Sequence, residues 1–171
     1  MIIIGNPNKH NLRLKKIIKD LVIDEKYLKS NLNFRHEIVQ MINENMTVLD
    51  IGKSMRNNFE KIQCKEIKTL DINIFDDYPD IQFDLSEKIE IEKTEIYKKF
   101  DAIICLAVLE HVYDDELAIK ELHRVLKKKG VAILQVPLNL EISETIDGRD
   151  IEDGKKRNEL FGQYDHLRTY G

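Results

Sequence analysis

The sequence predicts an α/β domain, a three-layer sandwich with helices on both faces of a mostly parallel sheet. Three observations point there. Short apolar runs, several of them closing on Asp or Gly, alternate with stretches of helical period. The run over residues 100–108 is apolar apart from Asp101, the pattern of a central strand covered on both faces. The next run is preceded by a segment carrying a full set of helix start and stop signals. A chain of 171 residues, 42% of them apolar, suffices for one domain with one core.

Taken in order, residues 12–21 place Leu14, Ile17, Ile18 and Leu21 at helical spacing, which predicts a basic amphipathic helix, read as packed on the domain in preference to a substrate lid or a membrane-surface contact. A second helix is predicted over 32–43, with Phe34, Ile38 and Ile42 on one face. Residues 1–45 thus read as a helical N-terminal segment and 46–171 as the sheet domain. The first strand is Thr47-Val48-Leu49-Asp50-Ile51, turning at Gly52. The second is Ile67-Lys68-Thr69-Leu70-Asp71, the third covers 81–85, the fourth 100–108, and the fifth 131–136, stopped by Pro137. Before the fifth strand lies the clearest helix. Asp114 or Asp115 caps its start. Ala118, Ile119, Leu122, Val125 and Leu126 form one apolar stripe. Lys127, Lys128 and Lys129 crowd its end, where the dipole favours cations. Gly130 is expected to supply a left-handed stop.

Composition narrows the partners. A net charge of −4 offers no broadly basic surface for a phosphate backbone, so nucleic acid is not expected. The apolar opening, Met1-Ile2-Ile3-Ile4, is far too short for a signal sequence or a membrane span. Cys64 and Cys105 show neither a CxxC nor a metal-ligand spacing, which favours a reducing, cytoplasmic setting. His10, His36 and His123 have no partner at ligand spacing, and no metal site is expected.

The chemistry concentrates at strand ends. A strand closing on Asp50-Ile51-Gly52 presents backbone N–H groups at its mouth, and glycine lets a ligand approach the main chain. Asp71 ends the next strand, nineteen positions after Gly52. An acid about 20 residues on is where a carboxylate accepts hydrogen bonds from ribose hydroxyls. Asp84, after the third strand, is placed to accept from an adenine amino group, with Phe83 or Leu85 against the ring.

The stretch Phe100-Asp-Ala-Ile-Ile-Cys-Leu-Ala-Val-Leu-Glu-His-Val112, with Glu121-Leu-His-Arg-Val-Leu-Lys-Lys-Lys-Gly130 and Val136-Pro137, resembles the central part of class I S-adenosylmethionine-dependent methyltransferases. Val48-Leu-Asp-Ile-Gly52 resembles their first cofactor motif. The resemblance covers residues 47–137, and its most specific part is Leu109-Glu110-His111 together with Arg124-Val125-Leu126. It implies a Rossmann-like fold and S-adenosyl-L-methionine as cofactor, with the sulfonium near Asp50 and Gly52, ribose at Asp71 and adenine at Asp84. Leu85, Leu106 and His111 would line the same pocket. Ser54 stands where the family loop has its second glycine. Its side chain would either crowd the methionine part of the cofactor or hydrogen-bond to it.

Phe161-Gly-Gln-Tyr-Asp-His-Leu-Arg-Thr-Tyr-Gly171 is similar to a segment, "FGQ.DHvR.Yg", of a branch of these enzymes that often occurs alongside surface-polysaccharide biosynthesis proteins. This resemblance implies a sugar-like or other small hydroxylated acceptor. Family members usually continue past it with a helix and two more strands. The expectation here is a sheet without those strands, whose fifth strand is an open edge inviting a homodimer.

For transfer to a hydroxyl, a base near its proton helps, and histidine suits neutral pH. His111, after the fourth strand, and His166 are the candidates. Asp165 and Arg168 are expected to bind the acceptor, Arg168 by a bidentate contact to an anionic group. Two other functions compete. A non-catalytic, cofactor-binding or scaffold relative would also fit the altered glycine loop. A nicotinamide-dependent oxidoreductase is disfavoured because no G-x-G-x-x-G follows the first strand.

Overall fold

The computed structural model describes residues 2–3, 34–55, 60–75, 77–88, 90, 96–139 and 141–171. The helix expected at 12–21 lies outside them. In chain order the elements are β1 (Ile2–Ile3), α1 (Phe34–Met41), β2 (Thr47–Ile51), β3 (Glu66–Asp71), β4 (Ile81–Gln82), β5 (Phe100–Leu106), a 3-10 turn (Leu109–His111), α2 (Asp115–Val125), β6 (Leu126–Gln135), β7 (Ile146–Asp147), α3 (Gly154–Phe161) and β8 (Arg168–Thr169).

Strand alternation builds the core. Successive side chains on a strand point to opposite faces. Along β5, Ile103 and Cys105 therefore join one apolar cluster, while Ala102, Ile104 and Leu106 join another. Leu49 and Ile51 of β2 fall in the first cluster, and Val48 in the second. The first is closed by Ala118, Ile119, Leu122 and Val125 of α2. The second is closed by Ile38 of α1 and by Ile42 just past its end. The result is helix, sheet, helix, as the sequence predicts.

Among the described residues the main sheet runs β1-β6-β5-β2-β3-β4, and every pairing in it is parallel. The neighbours β2 and β5 are not consecutive in the chain, so the winding reverses between them. Such a reversal opens a crevice at the carboxyl ends of the two strands. A separate antiparallel pair, β7 with β8, lies near the end of the chain. No helix among the described residues is long and apolar enough to cross a membrane.

Four expectations change. First, the fifth strand is not a wholly open edge: Ile2 and Ile3 pair with Ile133 and Leu134. Second, α2 ends at Val125, and Leu126 already has extended backbone, paired opposite Phe100. Ladder pairing here overrides local helix propensity, so Lys127, Lys128 and Lys129 belong to β6. Third, Gly130 is not the left-handed residue; Lys129 is, at φ 71°. Gly130 is needed for room, because a Cβ there would lie 3.0 Å from the Lys127 carbonyl and 3.1 Å from that of Phe100. Fourth, the third strand shrinks to Ile81–Gln82 and the fourth ends at Leu106, which frees residues 83–85 and 107–108 to shape the crevice.

Candidate functional site

The turn after β2 is forced into a narrow geometry. Gly52 takes φ +65°, and a Cβ there would lie 2.8 Å from Cγ2 of Val108 on the loop after β5. Only glycine combines that backbone with that approach. The Gly52 N–H donates to the Leu70 carbonyl at 2.9 Å, tying the turn to β3.

Ser54 answers the question its sequence position raises, and corrects both expectations. It is buried, and its hydroxyl donates to the Ile51 carbonyl and accepts from the Leu106 N–H at 2.7 Å. The side chain bridges the ends of β2 and β5 beneath the crevice instead of facing a ligand. Arg35 of α1 supports the same turn, its Nε donating to the Ser54 carbonyl at 2.9 Å.

Asp50 is fully buried. Its Oδ2 accepts weakly from the Met55 N–H at 3.4 Å, and its Oδ1 has no hydrogen-bond partner among the described residues. Burial pushes its carboxyl up to about 7, against the opposing pull of the Met55 and Ser54 N–H groups and Arg35.

Asp71 ends β3 at the rim. Its Oδ1 accepts from the Asn73 N–H at 3.0 Å and its Oδ2 from the Tyr78 hydroxyl at 3.3 Å. That hydroxyl also accepts from the Lys53 N–H at 2.7 Å. Tyr78 therefore couples the glycine turn to the rim acid, a role with no signal in sequence spacing. Burial and the charge of Asp71 hold its phenol protonated.

The adenine-side residues divide. Asp84 is partly exposed, and its Oδ1 accepts from the Ser86 N–H at 2.7 Å in a local turn. Leu85 and Leu106 are instead core residues, one in each apolar cluster. Their side chains are packed in the apolar clusters beneath the strand ends.

A second group forms beside the first. The 3-10 turn presents Glu110, with 1% of its surface exposed, and half-buried His111. The chain's last segment returns to this turn: the Leu167 N–H donates to the Glu110 carbonyl at 2.8 Å. That bond brings buried His166 to His111, ring centroids 4.8 Å apart and edge to face. Asp165 meets His111 Nδ1 through its carbonyl at 3.3 Å and its Oδ2 at 3.4 Å. Burial, then the neighbouring His111, hold the His166 imidazole below its usual range. The Glu110 Oε2 is buried without a hydrogen-bond partner among the described residues. No ligand spacing in the sequence points to a metal site, yet the fold gathers potential ligand atoms of Glu110, His111 and His166 within 4.8 Å of one another.

Arg168 corrects its expected role. Its side chain is 0% exposed. Nη1 donates to the carbonyls of Leu109 at 2.8 Å and Val112 at 2.5 Å, and Nη2 donates to that of Tyr113 at 2.9 Å. Asp115 and Asp147 lie 3.7 and 3.9 Å from Nε. The planar fork that suits an anionic acceptor is turned inside the protein, where Nη1 and Nη2 hold the turn that carries Glu110 and His111, while Nε has no hydrogen-bond partner among the described residues. Asp115 is missed in the same way. Asp114 is the cap, accepting from the Leu117 N–H at 2.9 Å, while buried Asp115 accepts from the Tyr170 hydroxyl at 2.9 Å.

Two outcomes follow from these buried charges. Replacing Arg168→Leu removes a donor from the carbonyls of Leu109, Val112 and Tyr113 and takes the cation away from Asp115. It should cost about 3–5 kcal/mol in urea unfolding, with Arg168→Lys recovering only part. Asp50 gives a pH signature. Its folded carboxyl, at about 7, lies above the ordinary value of 3.8. Between those two values the folded state keeps a proton that the unfolded chain has released, so this contribution to stability falls as pH rises and levels off above the folded value. Asp50→Asn should flatten the slope of unfolding free energy over that window by on the order of 1 kcal/mol per pH unit, so the variant should gain on the wild type as pH rises to about 7 and hold that gain, without increase, above it. Parallel slopes would contradict the burial.

A family described as Methyltransferase domain matches residues 23–171. No curated protein matches the chain. Among solved structures, a candidate methyltransferase from Bacillus halodurans superposes with a TM-score of 0.54 at 21% identity, covering 82% of this chain and 59% of that one. The YcgJ protein of Bacillus subtilis gives 0.55 at 15% identity, over 79% and 61%. A candidate methyltransferase from Haloferax volcanii, solved with a methyltransferase activator, gives 0.52 at 12% identity, over 86% and 66%. At such identities the likeness is one of fold, and this chain spans about three-fifths of the first two neighbours. The family match takes in nearly the whole sequence, both site segments included, and the chain belongs to the methyltransferase-domain family.

Proposed function

We propose that this chain binds S-adenosyl-L-methionine in the crevice between β2 and β5 and transfers its methyl group to a hydroxyl of a small acceptor. The observation that carries the reading is the pairing of a Gly52 turn that no side chain could occupy with a rim carboxylate, Asp71, at the end of the next strand. The residues fit the cofactor. Closely approachable backbone suits its amino-acid part, and the carboxylate suits its ribose diol. The Tyr78 hydroxyl keeps these two features in fixed relation. Asp84 remains the candidate for the adenine amino group.

When bound, the cofactor supplies a methyl group on a positively charged sulfur. The chain's part is to place and orient the acceptor and to exclude water. Val108, which lies against Gly52, immediately precedes the 3-10 turn that carries Glu110 and His111, and His166 meets His111 there. We assign His111 and His166 to the side of the acceptor from which its proton is drawn. Asp165, against the His111 ring, is the remaining candidate for an acceptor contact. A sugar-like acceptor, such as a precursor of surface polysaccharide, rests on the resemblance of residues 161–171 alone.

Calorimetric titration with S-adenosylmethionine and S-adenosylhomocysteine tests the reading. The wild type should bind, and Asp71→Ala should lose affinity at least about ten-fold while melting normally. Unchanged affinity in that variant would remove Asp71 from the site. His166→Ala should keep cofactor affinity and lose about 10²-fold or more in methyl transfer to hydroxylated acceptors; a wild-type rate would end its assignment.

A further inference from the structure

Three donor groups far apart in sequence converge beside the crevice. Glu110, His111 and His166 each offer one ligand atom, and these atoms lie within 4.8 Å of one another. We propose that they form a site for one first-row divalent cation of the zinc or cobalt type, with an open coordination position for an acceptor oxygen. Two imidazoles and one carboxylate suit such ions over magnesium or calcium, which prefer oxygen donors throughout. Three protein ligands leave a tetrahedral ion one open position.

The second, independent observation is Glu110 itself. It is 1% exposed, and its Oε2 has no hydrogen-bond partner among the described residues. A buried carboxylate oxygen without a partner is costly, and a cation at this cluster would satisfy it. The surroundings also fit. Asp165 contacts Nδ1 of His111, the kind of carboxylate that orients a ligating ring. The bond from Leu167 N–H to the Glu110 carbonyl locks the two contributing segments together. The nearby positive charge, Arg168, lies against Asp115 and Asp147 and also acts on the Glu110 carboxylate, favouring its ionised, ligating form against the effect of burial. His111, with its side chain 33% exposed, provides the entry. Ligand atoms around a tetrahedral ion at about 2.1 Å stand about 3.4 Å apart, so binding would draw the three side chains inward by small rotations.

The cation site stands independently of the methyl-transfer reading; its role rests on that reading. A hydroxyl bound to such an ion loses its proton more easily. The proton passes to water and the electron pair stays on oxygen. That oxygen then bonds to the methyl carbon as the carbon–sulfur bond breaks, its pair going to sulfur. The histidines then act as ligands of the ion, and water, not an imidazole, takes the proton.

The test is a titration of the 171-residue chain with Co2+, followed by visible absorption, with Zn2+ competition. One equivalent should bind. Glu110→Gln and His111→Gln should each weaken binding at least about ten-fold, whereas His123→Gln, on the exposed face of α2, should change nothing. Thermal melting followed by circular dichroism checks each fold. If the buried Glu110 variant does not fold, the half-buried His111 variant decides. No saturable binding, or binding unchanged in His111→Gln, would overturn the site. Titrating the same samples with S-adenosylhomocysteine separates the two readings. Co2+ binding without cofactor binding upholds the site and removes its methyl-transfer role; cofactor binding without Co2+ overturns the site alone.

Discussion

The site depends on a buried guanidinium. Arg168 is enclosed by the turn it organises, donating to the carbonyls of Leu109, Val112 and Tyr113. A charge taken out of water is expensive unless it is paired and its hydrogens are used. Here Asp115 and Asp147 supply the pairing and the three carbonyls accept from Nη1 and Nη2, while Nε has no hydrogen-bond partner among the described residues. Those carbonyls belong to a 3-10 turn and the residues after it, which have no strand ladder to satisfy them. One side chain thus solves two problems, and in doing so binds the chain's last segment to the turn after β5. Tyr170, donating to Asp115, closes the same arrangement. The placing of His166 beside His111 follows from this anchor.

The crevice rests on a different set of links. Three strand ends must hold their spacing where the sheet's own ladder stops. Ser54 joins β2 to β5, Gly52 N–H joins β2 to β3, and Tyr78 joins the glycine turn to Asp71. A serine at a position expected to be glycine therefore ties two strand ends together. The buried Asp50 is the strained member of this set, with one oxygen unpartnered.

What could be read from the sequence, and what could not, divides along sequence distance. Strand alternation and the helical stripe of α2 are local patterns, and they gave the layers, the parallel sheet and the crevice. The positions of Gly52 in the turn after β2 and of Asp71 at the end of β3 were legible because strand-end patterns are local too. Arg168 was misread as an acceptor contact because its partners lie more than fifty residues away, and nothing nearby marks it as buried. Leu106 packs into the core by the alternation of β5, and Leu85 by the turn after β4, neither of which its residue type reveals. Gly130 was read by its residue type as a helix stop, whereas the pairing of Leu126 with Phe100 had already ended the helix. The Glu110–His111–His166 cluster has no spacing signature at all, since only the returning segment assembles it.

The account stands or falls on where the cofactor binds. Its most direct test is a two-dimensional amide spectrum of the nitrogen-labelled chain, titrated with S-adenosylhomocysteine. The account predicts shifts concentrated at the carboxyl ends of β2, β3 and β5, led by Gly52, Lys53, Asn73 and Ala107, with the Lys127–Gly130 end of the sheet unmoved. Shifts confined to that opposite end, or none at saturating ligand, would contradict it.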